Sequence, residues 1–153
     1  MKTMHLLTQD QLDYFDAFGF LLLRKLFDEA TMRPVIDTAD TLWNEDFGGQ
    51  PDPTATLQQD RFAERSEILT SLIDDTRLYD KLTQLMGDRF IFCGSEGNYG
   101  VAGSPTAHHW HADRRGAAEL GYLRIKLMLY LVPMSQDNGA LRVIPGSHRA
   151  PLH

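Results

Sequence analysis

Leu123-Arg124-Ile125-Lys126-Leu127-Met128-Leu129-Tyr130-Leu131-Val132 is the stretch that decides the fold class of this chain. The run is rich in apolar residues, carries Arg124 and Lys126 within it, and reads as one long strand. Successive side chains of a strand leave opposite faces, so Arg124, Lys126, Met128 and Tyr130 share one face and Ile125, Leu127, Leu129 and Leu131 the other. The apolar set is suited to packing against helices, the mixed set to lining the mouth of a barrel. Downstream, Asp137-Asn138-Gly139 is a strong turn signal, residues 141–144 pair back, and Pro145-Gly146 turns the chain again. Upstream, residues 89–93 and 109–113 read as further strands.

Before Gly87 the period is helical. Thr8 and Gln11 have capping-box spacing; Leu12, Phe15 and Phe18 then mark one helical face, and Gly19 ends it. Residues 20–24 read as a short strand. Asp28 is the N-cap of a second helix, in which Met32, Val35, Ile36, Ala39, Leu42 and Trp43 recur at helical spacing. Pro34 belongs in a first turn, which moves the expected start of that helix towards Met32. Residues 47–56, with Gly48-Gly49, Pro51 and Pro53, read as a loop. A third helix is expected over residues 64–73. A fourth starts near Asp75, carries Leu78, Tyr79, Leu82, Leu85 and Met86, and ends at Gly87 as C-cap. Helices first and antiparallel strands afterwards make an α+β pattern, with a barrel or double-sheet jelly roll packed against helices.

The 153 residues suffice for one ordinary domain. A hydrophobic content of 42% and a charged content of 24% describe a soluble globular chain. No stretch approaches the roughly 20 apolar residues of a membrane span, and residues 20–23 are too few for a signal-peptide core of about 7–15. The lone Cys93 allows no disulfide within the chain. These features place the protein in the cytoplasm, with Cys93 as an inert buried thiol in an apolar strand. A net charge of −6 argues against a nucleic-acid partner and leaves small-molecule substrates open.

The chemistry concentrates in His108-His109-Trp110-His111-Ala112-Asp113-Arg114. Residues i and i+2 of a strand point to one face, so His111 and Asp113 are placed to grip one ion. They supply two thirds of the 2-His-1-carboxylate triad that binds non-heme Fe(II) and leaves positions open for oxygen. His109 shares their face and reads as a neighbour of the site or a solvent group. His108 reads as surface, and Trp110 and Ala112 as core packing. Taken alone, the pair is more often an ordinary pair on a polar strand face. Asn138-Gly139 and Pro145-Gly146 are turn residues, and His148 is a turn or packing residue.

Three segments together resemble the phytanoyl-CoA dioxygenase family. They are Leu7-Thr8-Gln9-Asp10-Gln11-Leu12 through Phe15 to Gly19-Phe20, then Trp110-His111-Ala112-Asp113, then the run from Asp137-Asn138-Gly139 through Pro145-Gly146-Ser147-His148-Arg149. The resemblance implies an Fe(II)- and 2-oxoglutarate-dependent oxygenase with a double-stranded β-helix (cupin-like) core. It implies His111 and Asp113 as the first two iron ligands, with molecular oxygen, a small organic substrate and ascorbate as the further reactants. The carboxylate of Asp113 favours hydroxylation over halogenation. Lys126 and Tyr130, on the mixed strand face, are candidate contacts to 2-oxoglutarate, since lysine is a competent point charge for a carboxylate; a solvated edge lysine is the plainer alternative. In the family the third ligand, a histidine, and an arginine for the far carboxylate of 2-oxoglutarate follow several tens of residues beyond the motif matched by Pro145 to His148. Neither His148 nor His153 matches that histidine. The resemblance therefore implies an N-terminal portion of the oxygenase: a single domain over residues 1–153, its β-helix incomplete at the C-terminal side, inactive alone. Two other readings stand beside it. One is a binding or regulatory protein that retains half of the oxygenase fold. The other is a cupin-like metal-binding protein using His109, His111 and Asp113 with His148 or His153.

Overall fold

The computed structural model describes residues 4–48, 57–100, 110–113 and 122–149. The architecture is α+β, with the helices early in the chain and one small open sheet. Helix α1, Gln9–Phe18, begins at the capping box read from the sequence: the Gln11 amide donates to Thr8 Oγ1 at 3.3 Å and the Thr8 amide to Gln11 Oε1 at 3.0 Å. Gly19 closes it in the left-handed region, at φ 81°. Helix α2, Glu29–Phe47, is capped by Asp28, whose carboxylate accepts from the Thr31 amide at 2.9 Å. The helix therefore starts at Glu29 and not nearer Met32. Pro34 lies inside it: its fixed φ is already helical, but its ring and missing N–H leave the Ala30 carbonyl without its intrahelical donor.

The core lies along one stripe of α2. Val35, Ala39, Leu42 and Trp43 are buried there against Phe62 and Leu69, with Met32, Phe47, Leu57, Ala63, Leu72 and Leu131 around them. Trp43 is its aromatic centre, with ring centroids 5.1 Å from Phe62, 5.3 Å from Phe47 and 5.6 Å from Tyr99. The single helix expected over residues 64–73 is divided. A 3₁₀ turn, Ala63–Arg65, is followed by an extended Ser66 that caps the short helix α3, Glu67–Thr70. The hydroxyl of Ser66 accepts from the Ile68 amide at 3.2 Å, and that local bond interrupts the helical run.

Helix α4, Thr76–Met86, starts where expected, with Asp75 as its N-cap, and ends at the expected cap Gly87. Its side chains hold the N-terminal segment: Gln84 exchanges hydrogen bonds with the amide and carbonyl of Leu7, and Lys81 donates to the His5 carbonyl at 2.7 Å. Burial pushes the Lys81 ammonium below its ordinary range. The Arg77 guanidinium and then its backbone amide donate to Asp75 and hold that carboxyl below the usual carboxylate range. A carboxyl lowered by folding contributes stability above its unfolded value of about 3.9 and loses it as pH falls through the folded value. Asp75→Ala is expected to cost about 1 kcal/mol at pH 7. It is also expected to flatten the acid side of the stability profile below about pH 4, where urea unfolding would compare it with the wild type.

The sheet is where structure and sequence part. Strands β1, Leu57–Asp60, and β2, Glu96–Tyr99, pair antiparallel with Leu57 opposite Tyr99 and Asp60 opposite Glu96. Neither alternates in hydropathy. Their pairing rests on contact with Phe62: a Cβ on Gly97 would lie 2.5 Å from that ring, so only glycine lets the ring sit on the ladder. The strands expected over residues 20–24, 89–93, 109–113 (of which 110–113 are described), 123–132 and 141–144 make no ladder among the described residues. A strand needs a partner for its backbone N–H and C=O groups, and alternation alone does not supply one. Residues 20–24 instead lead into a turn with Lys25 left-handed at φ 55°. Cys93 is exposed, not buried, on a segment that joins no sheet among the described residues. Of the expected loop, residues 49–56 lie outside the described residues, as do His108, His109, Arg114 and His153. Among the described residues no helix is long and apolar enough to cross a membrane.

Candidate metal-binding site

His111 and Asp113 lie close together, although the segment that carries them makes no strand ladder among the described residues. His111 Nε2 lies 3.4 Å from Asp113 Oδ1, with the side chains 63% and 49% exposed. Two donors about 2.1 Å from one ion and at a right angle to each other are ~3 Å apart. The imidazole and carboxylate therefore fit adjacent positions on a single divalent ion. Among the described residues no group of three His, Cys, Asp or Glu side chains comes together. Trp110 and Ala112 are exposed and do not pack in the core as the sequence suggests. Residues 110–113 make no ladder among the described residues, and the Arg142 guanidinium covers the Trp110 ring at 4.9 Å.

Lys126 and Tyr130 share a strand face in the sequence reading but go to different places. Lys126 Nζ lies 3.4 Å from Asp113 Oδ2 and 3.4 Å from Glu96 Oε2. Tyr130 turns its hydroxyl to the Leu141 amide, which donates to it at 3.3 Å. Glu96 was invisible to sequence reasoning. It stands thirty residues from Lys126, at the first position of an unforeseen strand, and no local pattern marks it.

The Pro-Gly-Ser-His-Arg turn has a structural role. It docks on the C-terminal end of α1, where helix carbonyls lack intrahelical partners. The Gly146 amide donates to the Phe18 carbonyl at 2.9 Å, His148 Nε2 to the Asp16 carbonyl at 3.1 Å, and Arg149 to the Asp16 carbonyl and carboxylate at 2.7 Å each. The Arg149 cation at a helix C-terminus also suits its dipole. The His148 ring lies against Gly19, and a Cβ there would collide with it. Gly19→Ala adds left-handed strain to that collision. It is expected to destabilise the protein by more than about 1 kcal/mol in chemical denaturation.

The structure thus sets one imidazole and one carboxylate side by side on an α+β scaffold; these are two of the donor types found in a 2-His-1-carboxylate site. The chain belongs to the phytanoyl-CoA dioxygenase family, whose model matches residues 15–153. That match runs to the last residue and corrects the expectation that the resemblance concerns an N-terminal portion only. The chain is 27% identical to an ectoine dioxygenase of Sphingopyxis alaskensis, over 90% of this chain and 49% of that protein. It is 24% identical to an ectoine dioxygenase of Bordetella bronchiseptica, over 94% of this chain and 50% of that protein. The chain thus spans about half the length of the curated relatives it matches. No solved structure matches it.

Proposed function

We propose that this protein is an Fe(II)- and 2-oxoglutarate-dependent dioxygenase that hydroxylates a small organic substrate, with His111 and Asp113 as two of its iron ligands. The observation that carries the reading is the 3.4 Å approach of His111 Nε2 to Asp113 Oδ1 in a chain of this family. The third donor comes from outside the described residues. Iron, when bound, supplies the oxidative chemistry; this chain's residues bind it, orient it and leave adjacent positions open. The β part is a double-stranded β-helix, to which residues 123–132 and 141–144 contribute strands. Lys126, with its ammonium beside Asp113, and Tyr130 are the proposed contacts to 2-oxoglutarate, and ascorbate is the accessory reductant. The likeness to ectoine dioxygenases makes ectoine the first substrate to try. The protein works in the cytoplasm.

The test is Fe(II)-dependent release of succinate from 2-oxoglutarate by the protein expressed from its own gene, with ectoine first and then other small amino-acid derivatives. Succinate formed with a hydroxylated product supports the reading, and a raised KM for 2-oxoglutarate in Lys126→Ala supports the role of that lysine. A second reading, a binding protein without iron chemistry, draws on the lack of a three-donor group among the described residues. Purified protein that takes up no divalent metal would favour it and overturn the first.

A further inference from the structure

We infer that Lys126 is a positioning residue for the Asp113 carboxylate, and that Glu96 at the head of β2 holds Lys126 in that place. The inference rests on the reading of Asp113 as a metal ligand and goes on to say what sets that ligand's orientation. One ammonium stands between two carboxylates, 3.4 Å from each. Asp113 uses its two oxygens differently: Oδ1 faces His111 Nε2 and Oδ2 faces Lys126 Nζ. A carboxylate held by one oxygen presents the other to the neighbouring imidazole, the disposition a one-oxygen metal ligand requires. Outer partners of this kind fix the orientation of metal-binding side chains and tune their affinity.

A lysine is a flexible stem with a point charge at its tip. It orients a partner only if it is itself tied down, and the structure shows the tie. Glu96 lies in the β1–β2 ladder opposite Asp60. The residue before it is clamped: Ser95 O accepts from the Arg61 amide at 2.7 Å, Ser95 Oγ accepts from the Ala63 amide at 2.8 Å, and its hydroxyl donates to Glu64. The sheet in turn meets the core through Phe62 and Tyr99 against Trp43. A connected path of contacts thus runs from the core to Asp113. Exposed ion pairs of this type add little to stability, so this path acts on ligand geometry and leaves the fold itself nearly untouched.

The experiment uses the full chain with Mn(II) as the probe, followed by the broadening of NMR signals from residues 110–113. In the wild type Mn(II) broadens those signals, and His111→Ala raises the midpoint. If either result fails, the metal reading falls and the inference with it. If both hold, Lys126→Met is expected to raise the midpoint about 10- to 100-fold, with a melting temperature within about 2 °C of wild type. Glu96→Gln should move the midpoint the same way by less, and the double variant should bind no more weakly than Lys126→Met alone, the mark of coupled residues. An unchanged or lower midpoint in Lys126→Met overturns the inference while leaving the metal reading in place. An unchanged midpoint in Glu96→Gln, or additive effects in the double variant, overturns the role of Glu96.

Discussion

Trp43→Ala is expected to cost about 3–5 kcal/mol of stability, a large part of the ~5–15 kcal/mol that holds a domain of this size folded. Trp43 is only 9% exposed. Its indole touches the helix, the turn after β1 and the sheet together: Phe47 on α2, Phe62 beyond β1, and Tyr99 at the end of β2. Truncation removes the transfer free energy of the ring and leaves a cavity that the facing rings fill only in part. It also loosens the contact that seats the sheet on α2. Urea unfolding followed by circular dichroism is the measurement. A shift of the midpoint corresponding to several kcal/mol, or loss of the cooperative transition, is the expected result. A cost below about 1 kcal/mol, the range of ordinary surface changes, would show that Trp43 is not the centre of the core. Trp43→Phe keeps a ring against Phe62 and is expected to cost less.

Asp113→Ala and His111→Ala are expected to act in the opposite manner, with a large effect on chemistry and a small one on folding. Both side chains are about half exposed or more, so each replacement is expected to change stability by no more than about 0.5 kcal/mol. Loss of a partner that merely supports a metal ligand costs about 10- to 100-fold in affinity or activity. Loss of a ligand itself is therefore expected to lower Fe(II)-dependent succinate formation by more than about 100-fold. The pairing of that assay with a melting curve is what makes the result informative. Turnover that falls while the melting temperature holds assigns the residues to the site. Turnover that persists in both variants removes them from it, whatever the family membership of the chain.

The contrast between these two predictions follows how the molecule is built. Helix ends were legible because their determinants are neighbours in sequence. Thr8 meets Gln11 and Asp28 meets Thr31, each within three residues. The stripe Val35, Ala39, Leu42 and Trp43 was legible for the same reason, as helical period maps directly onto one buried face. The division of the third helix at Ser66 was missed, although a serine that competes for the backbone was there to be read. The pairing of Leu57-Gln58-Gln59-Asp60 with Glu96–Tyr99 was not legible at all. Those residues carry no alternation, and their partners lie some forty positions apart.

The candidate site divides along the same line. By itself the sequence determined the caps of α1 and α2 and the buried stripe of α2, because these follow from backbone period over a few residues. It set His111 and Asp113 two residues apart, but the strand expected to bring them to one face makes no ladder among the described residues. Tertiary structure alone decided that Lys126 faces Asp113 and Glu96, that Tyr130 turns to Leu141, and that the Pro145–Gly146 turn caps α1 through His148 and Arg149. The physical reason is one of range. A local bond forms wherever the chain adopts its period, whereas a contact between residues thirty or more than a hundred positions apart forms only once packing has repaid the entropy of closing the loop between them.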